Sequence, residues 1–399
     1  MKIKRYQIEY NTAFGFIALA VVLFVQLTAC TEEQQVPEVV EDTENVTVYS
    51  TDHRDIKELQ IEKDLEVVED EELIFGNISQ VAVDQKRRIY LSDNAQTIHV
   101  FEPDGSYLRT IGRAGSGPGE FQMLSGIQVY GDYLFAHDFE LMRMNVFDLN
   151  HFEPVHTFSV PPLEREDIPN ARMSLRFMVI NEDRLLGVFG SAYTPGTGDI
   201  ERKDVAALLD GEGNVLNNRV IEFPQREMIV DDTGDHISIT QRPYGNRSEL
   251  VLMDDTLYQG WTEELLLKKY NTDGEYLSGF YHTPPRLPME MEDALAFYEG
   301  REEAQQTVRD AGIPDYFPAF HSLLADEETG RLWVGLYSED TDSHDWWVMD
   351  GEGRLKGRTS LPKPTGRFTM AVRNDEIHLV TETTDNRLKL VRYKVDLDV

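Results

Sequence analysis

Two pairs of polar residues at matching positions could carry chemistry. Asp93-Asn94 and His137-Asp138 each stand at the end of a short, mainly apolar run. Carboxylate and imidazole groups that converge on one channel can ligate a divalent metal or transfer protons. An aspartate at such a position more often accepts hydrogen bonds from the backbone N–H groups of the following loop. Both functions stay open for these four residues.

Two further groups are candidates for ligand binding. Arg242 and Tyr244, with Arg247, lie in one long predicted loop and could meet an anionic ligand. Acidic side chains with a histidine crowd the segment 339–345, and their oxygens could hold calcium. That segment contains Glu339, Asp340, Asp342, His344 and Asp345. It lacks the glycine-punctuated spacing of calcium loops, so a solvated acidic loop is the alternative.

Common catalytic motifs are absent from the sequence. It has no HExxH, CxxC or GxSxG pattern and no closely spaced pair of histidines. Calcium is therefore the only cofactor that the sequence suggests. The chain contains 72 acidic and 38 basic residues, a net charge of −34, which repels phosphate backbones and argues against binding to nucleic acid.

The N-terminus has the pattern of an export signal. Basic residues near the start precede an apolar run at 13–25 and the tetrad Leu27-Thr28-Ala29-Cys30. The run is shorter than the ~20 residues that span a bilayer, which favours a cleaved signal peptide over a membrane anchor. We predict a signal peptide over 1–29. Acidic residues dominate the next segment, 30–55, which predicts a disordered tether there.

A recurrent unit of four short strands fills the sequence from residue 56 onward. Six pairs of apolar runs, each pair joined by a polar turn, mark the first two strands of the unit. These pairs begin at 81, 127, 178, 250, 323 and 370. Four Asp-Gly turns, with glycines expected at positive φ, mark the second hairpin. They are 104–105, 210–211, 273–274 and 350–351. Four strands in about 40 residues is typical of a propeller blade.

The sequence therefore predicts an all-β fold, a six-bladed β-propeller of four-stranded antiparallel blades over 56–399. The sixth unit ends after a third strand, so we expect a strand within 56–68 to complete it and close the ring. Residues 289–311 predict one helical insert between blades four and five. The long connections, at 190–202, 224–247 and 281–320, should share one face, as a binding face or a structural cap.

Two motifs carry a family resemblance. Thr110-Ile111-Gly112-Arg113-Ala114-Gly115-Ser116-Gly117-Pro118-Gly119-Glu120-Phe121 resembles the inter-blade signature of NHL-repeat propellers, and Leu27-Thr28-Ala29-Cys30 resembles the bacterial lipobox. The chain thus looks like a bacterial six-bladed propeller lipoprotein of the NHL-like and TolB-like superfamily. The resemblance implies that Cys30 is acylated and anchors the protein to a membrane of the cell envelope, on the periplasmic or surface side of the outer membrane.

Two classes of function remain open. The first is a non-catalytic, monomeric lipoprotein that binds an envelope protein or a glycan. The second is a metal-dependent hydrolase or lyase similar to gluconolactonases, which hold a divalent metal in the central channel. The metal ligands of that family cannot be matched to residues of this sequence, and fold alone does not decide function. We expect binding rather than catalysis.

Overall fold

The computed structural model describes residues 36–50, 55–69, 75–167, 171–190, 202–232, 237–340, 342–363 and 369–397. In these residues the chain forms seven sheets: six sheets of antiparallel strands, one of them extended by a parallel strand, and a separate two-stranded hairpin. The innermost strand of each of the six larger sheets contacts the innermost strands of the two neighbouring sheets, so that the six form a closed circle. The fold is a six-bladed β-propeller, as the sequence predicted.

The elements follow one another in a regular order. The chain starts with α1 (Glu38–Glu41), β1 (Val46–Val48) and β2 (Gln60–Val68). Blade one contains β3 (Ile78–Val83), β4 (Ile89–Asp93), β5 (Thr97–Phe101) and β6 (Tyr107–Ile111). Blade two contains β7 (Leu124–Tyr130), β8 (Tyr133–Asp138), β9 (Arg143–Asp148) and β10 (Glu153–Ser159). Blade three contains β11 (Arg172–Asn181), β12 (Arg184–Gly190), β13 (Lys203–Asp210) and β14 (Val215–Pro224).

The second half of the ring carries the additions. A hairpin of β15 (Met228–Asp232) and β16 (Ile237–Gln241) precedes blade four, which contains β17 (Ser248–Met253), β18 (Thr256–Trp261), β19 (Leu265–Asn271) and β20 (Tyr276–His282). Helices α2 (Met291–Ala296) and α3 (Glu302–Ala311) precede blade five. Blade five contains β21 (Ser322–Asp326), β22 (Arg331–Leu336), β23 (Ser343–Asp350) and β24 (Leu355–Pro362). Blade six contains β25 (Thr369–Arg373), β26 (Glu376–Glu382) and β27 (Leu388–Asp396), together with β2.

The hydrophobic core lies between blades rather than in one centre. Each of the six interfaces between adjacent blades contains a cluster of buried apolar side chains. The middle strands of a blade are covered on both faces, which is why strands such as β4 are buried along their whole length. Trp346 and Trp347 pack on opposite sides of blade five: Trp346 faces blade six and Trp347 faces blade four.

Ring closure occurs as predicted. Strand β2 pairs antiparallel with β27 and becomes the outermost strand of blade six, so both ends of the propeller belong to one sheet. Asp64 accepts hydrogen bonds from Arg392 at 2.9 and 3.0 Å and forms an ion pair with Lys394 at 2.7 Å. Burial opposes ionisation of Asp64, but these bonds outweigh it and lower its pKa to about 2. The closing strand is thus fixed by charge as well as by pairing.

The segment expected to be a disordered tether is partly folded. Strand β1 pairs in parallel with β20 and adds a fifth strand to blade four. Val40 of α1 is only 1% exposed and packs with Leu266 and Tyr281 of that blade. The prediction is therefore wrong for residues 36–50, because their few valines are spaced to cover the rim of blade four. Cys30, the signal peptide, the rest of the tether up to 35 and residues 51–54 lie outside the described residues.

The helical insert also differs from its prediction. It contains two helices instead of one, because the chain turns at Gly300 (φ +74°) between α2 and α3. A capping box between Glu290 and Asp293 starts α2. Val308 of α3 is fully buried against Ile229 of the hairpin. In the part of the chain that the structure describes, no helix is long and apolar enough to cross a membrane.

In two of the four Asp-Gly turns, the prediction of which glycine has positive φ was wrong. Gly105 and Gly274 have positive φ, as expected, but in the turns at 210 and 350 the positive φ falls on Gly213 and Gly353. The reason is that Asp210 begins its turn, accepting the N–H groups of Glu212 and Asn214 on Oδ1. A Cβ on Gly213 would stand 2.0 Å from the carbonyl oxygen of Ser159 in the preceding blade. These turns therefore touch the neighbouring blade.

Candidate functional site

A central channel runs through the ring between the innermost strands. Its main cavity has a volume of about 470 Å³ and a wall that mixes apolar with polar side chains. The polar members of the wall are Ser79, Gln80, Gln128, Arg176, Glu327 and Thr369. The amide oxygen of Gln80 accepts the N–H of Ile127 at 2.6 Å, and that of Gln128 accepts the N–H of Val179 at 2.9 Å. Side chains of the wall thus join neighbouring blades.

The channel has two ends, which we call its lower and upper mouths. The lower mouth is the end at which the turns between the first and second strands of the blades lie. It is a cavity of about 390 Å³ lined by Asp254, Asp255, Glu327, Glu328 and Arg373, among others. Burial raises the pKa of Glu327, and the charges of Asp254 and Glu328 act in the same direction. Arg373 forms an ion pair with Glu328 and donates to the carbonyl of Val83 in blade one at 3.3 Å.

Asp93 and Asn94 bind backbone N–H groups of the loops of blade one, at the end of the ring opposite the lower mouth. Asp93 accepts the N–H groups of Gly76, at 2.7 Å, and Ala95. Its Oδ2 also lies 3.1 Å from Nε2 of His99. Burial of Asp93 opposes ionisation, but these hydrogen bonds lower its pKa. Asn94 accepts the N–H of Asn77 at 3.0 Å. Neither residue lines the channel cavity, and both act as loop caps.

Asp138 has the same role in blade two. Its carboxylate accepts the N–H groups of Gln122, Met123 and Leu141 at 2.9, 3.2 and 3.0 Å. His137 is 1% exposed, and its Nδ1 lies 2.8 Å from the hydroxyl of Ser125. Burial lowers the pKa of His137 to about 4, so it is neutral at pH 7. The structure does not bring His137 and Asp93 to a common centre in the channel wall.

Arg242 and Tyr244 fasten the helical insert. Nη1 of Arg242 donates to the carbonyl of Gly312, at the end of α3, at 3.2 Å. The ring of Tyr244 makes edge contacts with Phe297, Phe317 and Tyr337 at centroid distances of 5.8, 4.8 and 5.8 Å. The helical insert and the β15–β16 hairpin therefore pack together on the face that carries the connections between blades. The sequence predicted that these two long connections, 224–247 and 281–320, share one face. The third, at 190–202, lies mostly outside the described residues.

The acidic segment does not converge on a cation. Asp340 accepts the N–H of Asp342 at 2.9 Å, and Asp345 accepts the hydroxyl of Ser360 at 2.7 Å. His344 turns the other way, with Nδ1 2.8 Å from Nε2 of His321. Burial lowers the pKa of both histidines, that of His344 to about 4. Among the described residues, no group of three or more histidine, cysteine or acidic side chains could hold a metal.

The upper mouth of the channel carries arginines. We define it by Arg176, Arg226, Arg247 and Tyr337. Nη1 of Arg176, in the channel wall, donates to the carbonyl of Ser248 at 3.1 Å. Nε of Arg247 donates to Glu249 at 2.6 Å, and its Nη2 donates to the carbonyl of His321.

Arg226 completes this group. It follows β14 and is accessible to solvent. Surrounding protein atoms lower the pKa of Arg226, and the charges of Arg247 and Arg176 lower it further. The hydroxyl of Ser248 donates to the carbonyl of Pro224 at 2.9 Å, which holds the segment that carries Arg226 next to the carbonyl that Arg176 contacts. Sequence reasoning selected Arg247 but missed Arg176 and Arg226, because the residues of the upper mouth come from three blades and share no local motif.

The comparisons with known proteins concern the fold. Residues 33–176 match the profile of a family, DUF5128, described as a 6-bladed beta-propeller. No curated protein matches the chain. A solved structure from Bacteroides fragilis NCTC 9343, of a protein assigned as exported, is similar with a TM-score of 0.51 and 14% identity. The similarity covers 85% of this chain and 95% of that chain.

Two more solved structures are similar at lower scores. A member of the DUF4221 family from Bacteroides vulgatus ATCC 8482 has a TM-score of 0.49 and 11% identity, over 85% of this chain and 99% of that chain. BamB from Moraxella catarrhalis has a TM-score of 0.35 and 9% identity, over 80% of this chain and 85% of that chain.

Proposed function

We propose that this protein is a lipoprotein of the bacterial cell envelope, of the NHL-like and TolB-like propellers, that acts by binding an envelope protein or glycan. The observation that carries the proposal is the asymmetry of the ring. In the part of the chain that the structure describes, hairpin β15–β16 and helices α2 and α3 are added on one face and meet in a shared apolar cluster. Additions confined to one face of a repeat fold commonly form its binding face.

Exposed aromatic side chains favour binding through the insert. Phe297 and Tyr316 are 38% and 49% exposed. Aromatic residues are enriched at binding interfaces because they bury a large area at low entropic cost. Arg286 lies over the ring of Tyr316 at 5.9 Å, and its charge is paired with Glu264 at 3.1 Å. A partner with apolar groups would fit this surface.

The proposed lipid would hold the ring close to the membrane. Val36, which packs against the rim of blade four, lies only six positions after Cys30 in the sequence. A chain of this length extends at most about 20 Å. Anchoring through Cys30 would therefore keep blade four next to the bilayer, instead of letting the propeller move freely on a long tether.

The binding face can be tested by site-specific photocrosslinking in cells that make the full chain. A photoreactive residue would replace Tyr316 on the insert or, as the matched control, Leu216, which is 55% exposed near the turn that begins β14. We expect a discrete crosslinked product from position 316 and none from 216. Equal products from both positions, or none from 316, would contradict a binding role for the insert face.

The anchor needs a separate test. Cys30→Ala should abolish incorporation of labelled palmitate and move the protein from the membrane fraction to the soluble fraction, since Cys30 is the only cysteine. A Cys30→Ala protein that stays in the membrane fraction would show that something other than the lipid holds it there.

A further inference from the structure

We propose that the upper mouth binds an acidic saccharide, with Arg226 and Arg176 holding its carboxylate and the channel wall receiving its sugar ring. The proposal rests on the binding role proposed above and gives that role a ligand class. It starts from the sign of the charge. Arg176 donates to the carbonyl of Ser248 at 3.1 Å, and the N–H of Glu227 donates to the carbonyl of Asn246 at 2.9 Å. Arg176, Arg226 and Arg247 therefore lie on adjoining backbone segments, in a chain whose net charge is −34, and like charges placed close together favour an anionic ligand.

The neighbouring carboxylates are already engaged. Glu249 accepts from Arg247, and Asp204 accepts from the amide of Gln225 at 2.8 Å. Glu227 accepts the N–H of Asn246 at 3.0 Å. Within the described residues, Arg226 has no hydrogen bond or ion pair, and the carboxylate whose charge acts on it, Glu249, already accepts from Arg247. Its guanidinium is a planar fork that fits a carboxylate with two parallel hydrogen bonds.

The cavity below these arginines suits a sugar. Arg176 belongs both to the upper mouth and to the wall of the 470 Å³ cavity, so it connects the two. That volume is in the range of small-molecule pockets and too small for a folded partner. The wall offers hydroxyl and amide groups from Ser79, Gln80, Gln128 and Thr369 beside apolar strand residues. Hydroxyl-rich ligands are bound by such groups, which can both donate and accept hydrogen bonds.

An acidic peptide is the competing ligand, and two features favour the saccharide. A peptide side chain would bring a bulky backbone to a channel that is only as wide as six converging strands allow. The aromatic rings beside the mouth, Tyr244, Phe317 and Tyr337, also pack on one another, which leaves little of their faces for a peptide.

The test is calorimetric titration of the full-length protein in detergent with digalacturonate. Digalactose, of the same shape without the carboxylates, and N-acetyl-aspartate serve as control ligands. We expect binding of digalacturonate only. Arg226→Gln should weaken it about tenfold or more, the loss expected for a charge-assisted hydrogen bond. Arg226→Lys should fall between, since it keeps the charge and loses the fork.

Arg219→Gln is the matched control variant. Arg219 lies on β14, the strand that Arg226 follows, but pairs with Asp167 and Glu222, at 2.8 Å each. Its removal changes the net charge equally and should leave the affinity unchanged. Equal weakening by both variants, or tighter binding of N-acetyl-aspartate than of digalacturonate, would overturn the proposal. Absence of saccharide binding together with a crosslink from position 316 would refute this inference alone and leave the binding face intact.

Discussion

The two mouths of the central channel differ in the sign of their charge and in how that charge is used. At the lower mouth, acidic side chains form the joints of the ring: Asp326 is fully buried and accepts the N–H groups of Asn374 and Asp375 in the next blade at 2.9 and 2.8 Å. At the upper mouth, Arg226 reaches solvent and forms no ion pair among the described residues, since the nearby Glu249 accepts from Arg247.

This difference separates structural charge from charge that is available to a ligand. A buried, fully hydrogen-bonded carboxylate cannot be removed without cost and offers nothing to a ligand. An accessible guanidinium without a partner costs little to remove and can bind an anion. The lower mouth should therefore respond to mutation through stability, and the upper mouth through binding.

The largest effect on stability is expected from Gly213→Ala, on the lower face of the ring. Positive φ alone costs an alanine about 1–2 kcal/mol, and the clash with the carbonyl of Ser159 adds about 1–3 kcal/mol. Gly131→Ala is the control, since Gly131 has φ +56° but no atom within 4 Å of the position that an alanine methyl group would take. Urea unfolding should show a larger loss for Gly213→Ala, and equal losses would mean that the turn does not touch the neighbouring blade.

Asp326→Asn should follow, with a loss of about 2 kcal/mol. The amide of asparagine can replace only part of the acceptor capacity that Asn374, Asp375 and Glu328 use through their N–H groups. Asp255→Asn, on an exposed residue of the same mouth, should leave stability unchanged. If the two variants unfold at the same urea concentration, the acidic residues of the lower mouth are not ring joints.

A smaller effect should appear in the pH dependence of stability. Burial lowers the pKa of His344 to about 4, while its pKa in the unfolded chain is about 6.5. The unfolded chain then binds more protons between these values, so stability is complete above about pH 6.5 and falls as the pH drops toward 4. His344→Gln should flatten this decline, whereas His151→Gln should not, because the His151 side chain is 79% exposed. An unchanged profile in both variants would place His344 outside the packed interior.

The smallest effect concerns the outer rim of blade four, where residues 36–50 pack. Val40→Ala should cost about 1 kcal/mol, because Val40 is 1% exposed on blade four. Val39→Ala is the control, since the adjacent Val39 is 45% exposed. Thermal unfolding should separate the two. Identical melting temperatures would mean that residues 36–50 do not hold to the rim in solution.

The ring could be predicted from the sequence because each blade repeats a local pattern. Apolar runs paired around polar turns identify the first two strands of all six blades, and the missing fourth strand of the sixth unit points to β2. The folded segment 36–50 was not predicted, since a few valines among acidic residues carry no periodic signal. For Asp93 and Asp138 the sequence left loop capping and a channel site open, because the choice depends on N–H groups of loops that only the fold brings to these carboxylates.

The most direct test of the difference between the mouths is hydrogen–deuterium exchange of the full-length protein with and without saturating digalacturonate. We predict slower exchange in residues 225–231 and 242–249 of the upper mouth and no change in residues 254–256 and 327–330 of the lower mouth. Protection at the lower mouth, or equal exchange everywhere under conditions where calorimetry detects binding, would contradict the assignment of the upper mouth as the ligand site.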